Sequence, residues 1–576
     1  MLKLKKSTFI LAAALGLALS SLSASAAPTP TPVPALVETG RARQLHVDGK
    51  PFLMLAGELH NSSASSDAYM APIWPKLKAM HLNTVVSTVS WDMVEPSEGQ
   101  FDFRSLDSQV AAARANGLRL VMIWFGSFKN ARSTYAPGWI RSDQARFPRA
   151  LINATKPQRF SYPGAMPHPV LSPFSPALRE AERKAFTALL RHLKQSDPGH
   201  TVIMLQVDNE IGLLGDSRDR SALAQQQWDA PVPAELMAYL NRHRASLRPE
   251  LAALWARQQY RQQGSWAEVF GTDWQAEEVF MAWGYGRFIN TVAQDAAQIL
   301  PLPMYVNAWL GPQPGQPEAG DYPSGGPVPR VADVWKAAAP PIAFLAPDIY
   351  IDDFKGTLAD FDRPGNPIFI PEARFQTGNA FWAIGRHKAL GFSVFGIEDG
   401  FPGNQLSQAY AALGAMAQQL SAAQASDRVR AVLLDDATPV TQSLAGYQVT
   451  VRGTGATTSK MLHDAGIQVP PIKATAVAET LNAAHGPSFS DTRPFGLIMA
   501  GEPGEFYLVG HDFTADFSKN GQLAELDVVE EGRFVAGRWV PGRRLNGDER
   551  LELLPMNMIG VLRIQLLKQA ASAGNK

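Results

Sequence analysis

The chain has 576 residues, of which 45% are hydrophobic and 18% charged. That composition is ordinary for a globular protein and too long for one simple core. Lys+Arg and Asp+Glu both number 53, so nothing electrostatic recommends a nucleic-acid or anionic-membrane partner. There is no cysteine, which excludes disulfides and thiolate chemistry.

In chain order, Lys3, Lys5 and Lys6 precede an apolar stretch and then "SASAAP", with Ala24 and Ala26 at the small-residue positions of a cleavage site. Residues 1–26 therefore read as a secretory signal peptide, too short in its apolar core to span a bilayer well. The expectation is a secreted or periplasmic protein with no membrane attachment after cleavage. Residues 27–38, "APTPTPVPALVE", read as a Pro/Thr-rich spacer.

Eight short apolar runs follow, at 52–56, 84–89, 118–125, 201–207, 304–309, 342–346, 368–370 and 392–397. Each reads as a buried parallel strand, with helical patterns between several of them. Ser175-Pro176 opens the clearest helix, followed by Leu178, Ala181, Ala185, Leu189 and Leu193 in one stripe. The order predicts an α/β fold, a (β/α)8 TIM barrel over 39–425; an open doubly wound sheet is the alternative. The long segment at about 213–300 reads as a helical insertion. Beyond about 425, "YQVTVRG", "GEFYLVGHDFTADF" and "IGVLRIQLL" are separated by Gly and polar turns, so 426–576 reads as a β-rich, sandwich-like domain.

In a barrel, functional groups come from the C-terminal ends of the strands. Those ends carry Glu58 and His60, then Trp91 and Glu95, Lys129 and Asn130, Asn209 and Glu210, Asn307 and Trp309, Tyr350 and Asp352, Glu372, and Glu398 and Asp399. Any one such acid is more often a helix cap or an ion-pair partner. Glu210 after run four and Glu372 after run seven differ, because they face one another across the rim. Paired carboxylates across a cleft are what glycosidic cleavage requires. No zinc, nucleotide-binding or serine-hydrolase motif occurs, and neither metal nor cofactor is implied. His60 reads equally well as a hydroxyl ligand or a core histidine, and each rim tryptophan alone reads as packing.

"LMLAGELHNSS", "WDMVEP", "DNEIG" and "PEARF" resemble glycoside hydrolase family 35, the β-galactosidases, in the bacterial branch that carries its own C-terminal β domain. The resemblance implies Glu210 as acid/base, Glu372 as nucleophile and Asn209 as the amide that bonds the sugar 2-hydroxyl. It implies Tyr350 as the tyrosine that orients the nucleophile. Glu95 matches the family's second-strand glutamate. Asp92, Val94 and Ile211 depart from the family pattern, and the third strand ends "WFGSFKN" in place of an Ala-Glu pair. Lys129 and Asn130 are therefore expected to take over hydroxyl recognition, beside Glu58, His60, Trp91, Glu95 and Trp309. The implied function is a retaining exo-β-galactosidase acting on a carbohydrate. The rivals are an exo-enzyme for β-glucosyl or arabinosyl units and a non-catalytic carbohydrate-binding protein. Glu210 is expected to hold a raised pKa and Glu372 to stay ionised.

Overall fold

A computed structural model describes residues 31–129, 134–153, 170–467 and 489–568. The signal peptide expected at 1–26 and the first part of the spacer, 27–30, lie outside the described residues. The end of that spacer is corrected. Ala35–Thr39 is a strand, paired antiparallel with Ala42–Val47.

Seven parallel strands follow one another round the sheet: Gly391–Phe392, Met54–Glu58, Thr84–Ser90, Arg119–Phe125, Val202–Val207, Met304–Trp309 and Phe344–Asp348. The two edges are joined by residues 368–373. Leu390 N donates to Ile368 O at 2.7 Å and Ser393 N to Ile370 O at 2.9 Å, while Ile349 N donates to Glu372 O at 2.9 Å. The sheet thus closes as a (β/α)8 barrel, and the open-sheet alternative is set aside. Alternation explains why the strands are apolar on both faces. Val121, Ile123 and Phe125 fill the barrel interior with Val86, Tyr305 and Phe369. Leu120, Met122 and Trp124 point outward to the helices.

The helix Pro176–Ser196 starts where its sequence says. Ser175 Oγ accepts from Leu178 N at 3.2 Å, with Pro in the first turn. Its buried stripe includes Leu178, Ala185, Leu189 and Leu193, together with one acid, Glu182. Within the segment read as an insertion, short helices occupy Ala222–Asp229, Ala234–Arg242, Pro249–Arg257 and Trp266–Phe270. The last part of that reading is corrected. Trp274–Ala293 is a buried helix packed against Pro176–Ser196 and Ala332–Ala338, so it belongs to the barrel's own helical layer.

After the helix Ala417–Ala425 the architecture changes to two antiparallel sheets, one of six strands and one of four. They enclose a core of Leu444, Val449, Val451, Phe513 and Phe517 against Ile498, Phe506, Leu508 and Ile564. The other face of the six-stranded sheet lies on the barrel helix Thr377–Arg386. Ala431, Leu433, Phe495 and Leu497 share one continuous core with the barrel.

Candidate active site

Strand four of the barrel, counted along the chain from Met54–Glu58 as strand one, is Val202–Val207, and it ends in an unusual backbone. Asp208 and Glu210 both adopt left-handed conformations, φ 58° and 45°. Such residues cost on the order of 1–3 kcal/mol each and persist where the surroundings fix them. Here they are fixed. Gln206, pointing inward one turn below, donates Nε2 to Asp208 O at 3.1 Å and to Asn209 Oδ1 at 2.9 Å. Asn307, at the tip of strand five, accepts from Glu210 N at 2.9 Å and donates to Asn209 Oδ1 at 3.0 Å. The kink lifts Glu210 out of the strand and into the barrel mouth.

Glu372 stands on the opposite side, at the end of residues 368–373. Tyr350 donates its hydroxyl to Glu372 Oε2 at 2.7 Å, and Asn307 Nδ2 lies 3.4 Å from Oε1. Carboxylate oxygens of Glu210, Asp348 and Glu372 all lie within 4.8 Å of one another. Asp348 accepts from Asn307 Nδ2 at 2.7 Å. Asn307 is thus the hub that ties strands four, five, six and seven together. Geometrically, the three acids could clasp a cation. A positive charge already stands at them, because Lys129 Nζ donates to Glu210 Oε2 at 2.9 Å.

Crowding of buried acids sets the electrostatics. Burial pushes Glu372 up to about 7; Glu210 adds to the shift, and Lys129 and the Tyr350 hydroxyl oppose it. Asp348 is held well above the carboxyl range by burial first and by Glu372 next. Glu58, at 0% exposure, is raised by burial and then by Glu372, and neither of its oxygens has a hydrogen-bond partner. Burial opposes the charge on Lys129, but Glu210 and Glu372 outweigh it and raise its pKa. The expectation that Glu372 stays ionised meets an opposing pull: burial and the Glu210 charge raise its carboxyl, and Lys129 and Tyr350 act to keep it charged.

Of the residues picked out from sequence, the structure brings together Asn209, Glu210, Lys129, Tyr350 and Glu372. Asn209 Nδ2 is buried and unpartnered, leaving an amide donor beside the acids. Lys129, expected as a hydroxyl ligand, stands as the counter-ion of Glu210. Glu58 has no accessible surface, and its charge adds to the rise of Asp348. His60 sits at the rim, its Nε2 2.9 Å from Asp399 Oδ2 and its ring edge-on to Phe395. Trp309 is partly buried at the tip of strand five, its Nε1 3.4 Å from Gln316 Oε1.

Two expected ligands are not in the site. Trp91 has 0% exposure, packs against Trp124 and Trp139, and donates Nε1 to Glu95 Oε2 at 2.8 Å. Glu95 also accepts from Gly99 N at 2.7 Å, so both its oxygens are engaged in closing a turn. Asn130 lies outside the described residues. Sequence reading missed Asp348, because the sixth run was ended at 346 and the strand continues through Pro347. Asn307 was noticed at its strand end but not placed in the site, since an amide there gives no signal of its four-way bonding.

Two family models match the chain. The glycoside hydrolase 42 model, described as Beta-galactosidase, matches residues 65–280, and a domain of unknown function, DUF5597, matches 406–556. A beta-galactosidase of Xanthomonas manihotis is 42% identical over 79 residues, 13% of each chain. Beta-galactosidase-1-like protein 3 of Homo sapiens is 28% identical over 184 residues, 30% of this chain and 24% of that one. The chain therefore spans at most about a quarter of these relatives' lengths. Similar solved structures include the beta-galactosidases of Bacillus circulans sp. alkalophilus and of Rahnella sp. R3. The first is 14% identical with a TM-score of 0.42, the second 16% with 0.40, and each comparison covers 64% of this chain and 57% of the other.

Proposed function

We propose that this protein is a retaining exo-glycoside hydrolase that releases terminal β-galactosyl residues, with Glu372 as nucleophile and Glu210 as acid/base. One observation carries the mechanism: oxygens of the two carboxyl groups approach within 4.8 Å. That agrees with the separation of about 5–5.5 Å in retaining enzymes and is short of the roughly 6.5–9.5 Å that leaves room for water in inverting ones. The galactosyl preference rests on the match to a β-galactosidase model over 65–280 and on the motifs at strands one, two, four and seven. The finer assignment to family 35 is our own reading of those motifs, as is export by the N-terminal segment.

In the first step a Glu372 oxygen attacks the anomeric carbon, and the glycosidic C–O bond breaks. The departing oxygen takes the proton of Glu210. In the second step Glu210 takes a proton from water, whose oxygen attacks the anomeric carbon and releases Glu372. One proton held by the pair suffices for both steps. The unpartnered Asn209 Nδ2 supplies a donor for the 2-hydroxyl, a contact that strengthens toward the oxocarbenium-like state. Tyr350 holds the attacking carboxylate in line.

The test is proton NMR of the first sugar released from an aryl β-galactoside. Two inversions give the β-anomer before mutarotation. Initial release of the α-anomer would require the roles of Glu210 and Glu372 to be withdrawn. Faster hydrolysis of β-glucosides or arabinosides in the same panel would promote the rival enzyme. Binding without turnover of any glycoside would promote the carbohydrate-binding protein.

A further inference from the structure

Glu182 is an acid on the core-facing stripe of the helix Pro176–Ser196, with 0% exposure. A carboxyl there is costly unless it is bonded, so its partners show what it serves. Among them, Trp124 and Ser127 stand at the end of strand three. Glu182 Oε1 accepts from Trp124 Nε1 at 3.0 Å, and Oε2 accepts from Ser127 N at 3.0 Å and from the Ser127 hydroxyl. Asp208 reaches the same loop from strand four, its Oδ1 accepting from Gly126 N at 3.0 Å and Phe128 N at 3.3 Å. A Cβ placed on Gly126 would lie 2.1 Å from Glu182 Oε1 and 2.6 Å from Asp208 Oδ1, so the two acids close on the bare Cα together. Two buried acids thus converge on one short stretch of backbone. The next residue after this loop is Lys129, whose ammonium meets Glu210.

We propose that Glu182 is a positioning residue: with Asp208 it grips the backbone of the loop at 126–128 and so holds Lys129 against Glu210. This rests on the acid/base role given to Glu210 above. Burial pushes Glu182 up to about 7 against the bonds from Ser127 and Trp124. Asp208 rises well above its ordinary range, by burial and then by the Glu182 charge. Together the two acids cap three backbone amides, a hydroxyl and an indole.

Two measurements on the full chain test this. In the first, kcat/KM on an aryl β-galactoside is compared for Glu182→Ala, Lys129→Met and the double variant. Misplacing a group by about 1 Å can cost about 10²-fold, so Glu182→Ala should lose that much, and the double variant should be no worse than Lys129→Met. Glu182→Gln keeps the acceptor oxygen and offers Asp208 a donor, so it should recover all but about tenfold of that loss. Multiplying losses, or a folded Glu182→Ala within threefold of the parent, would overturn the proposal.

The second measurement needs no turnover. The rate at which acetic anhydride acylates Lys129 is followed by peptide mass mapping. It should rise about tenfold in Glu182→Ala, as expected when a local opening is loosened, and stay low in Glu182→Gln. If Glu182→Ala does not fold, Ser127→Ala takes its place. Faster acylation of Lys129 supports the proposal, and an unchanged rate overturns it. A chain inactive on every glycoside would fail the functional reading and leave this second result to stand alone.

Discussion

At the scale of single residues, the site is a problem of too many acids around one ammonium. Glu58, Glu210, Asp348 and Glu372 interact through a buried volume into which Lys129 brings positive charge. Replacing Glu372 by Gln should lower turnover of an aryl β-galactoside by about 10⁴-fold or more, as loss of a nucleophile does elsewhere. The same change should stabilise the fold at alkaline pH. An unfolded glutamate releases its proton in the ordinary carboxyl range, whereas folded Glu372 holds it to about 7. Between those values the folded state keeps a proton that the unfolded state has lost, so rising pH erodes stability through that window. Thermal unfolding of Glu372→Gln should therefore lie a few degrees above the parent at pH 8, and the gap should close toward pH 4. Lys129→Met removes a charge that lowers Glu372 and Glu58. The acidic limb of its kcat/KM profile should move to higher pH, a shift read from initial rates across the range.

At the scale of elements, strand tips and the loops after them do the positioning. Strand four places its acid through two left-handed residues locked by Gln206 and Asn307. The loop after strand three is gripped by Glu182 and Asp208, with no room for a side chain at Gly126. Gly126→Ala should displace that loop, costing about 1–3 kcal/mol as overpacking does. Calorimetry should show the lowered midpoint, and kcat/KM should fall with it because Lys129 moves. Strand two teaches the opposite lesson. Its "WDMVEP" has the look of a ligand-bearing tip, yet Trp91 is core and Glu95 closes the turn to Gly99.

At the scale of the whole molecule, barrel and C-terminal sheets are not independent bodies. Gly385, on the helix Thr377–Arg386, lets Leu497 and Ala431 approach so closely that a Cβ would sit 2.3 Å from Leu497 Cδ2. Ala431, Leu433, Phe495 and Leu497 continue the barrel's own core. A chain ended after residue 428 would expose the helix face they cover. It should be recovered as aggregate, or unfold well below the full chain in a thermal melt. Full stability and activity in that truncated chain would show that the shared core is dispensable.

The strand runs, the capped helix at Ser175-Pro176 and the two facing glutamates were legible in the sequence, because burial on both faces, capping chemistry and strand-end charge are local signals. Glu210, Glu372, Asn209 and Tyr350 could be named from their places after strands four, six and seven. What depends on distances between segments far apart in the chain was not legible. The sequence could not show that Lys129 would meet Glu210, that Asn307 would join four strands, or that Asp348 would fall among the acids. Nor could it show that Trp91 and Glu95 would satisfy each other. An acid's role is set by what surrounds it, and only the closed barrel brings Glu182 on a helix, Asp208 on a strand and the Gly126 backbone to one point. The same closure gives Glu372 its raised pKa, since burial and the neighbouring charge of Glu210 exist only once the strands are side by side.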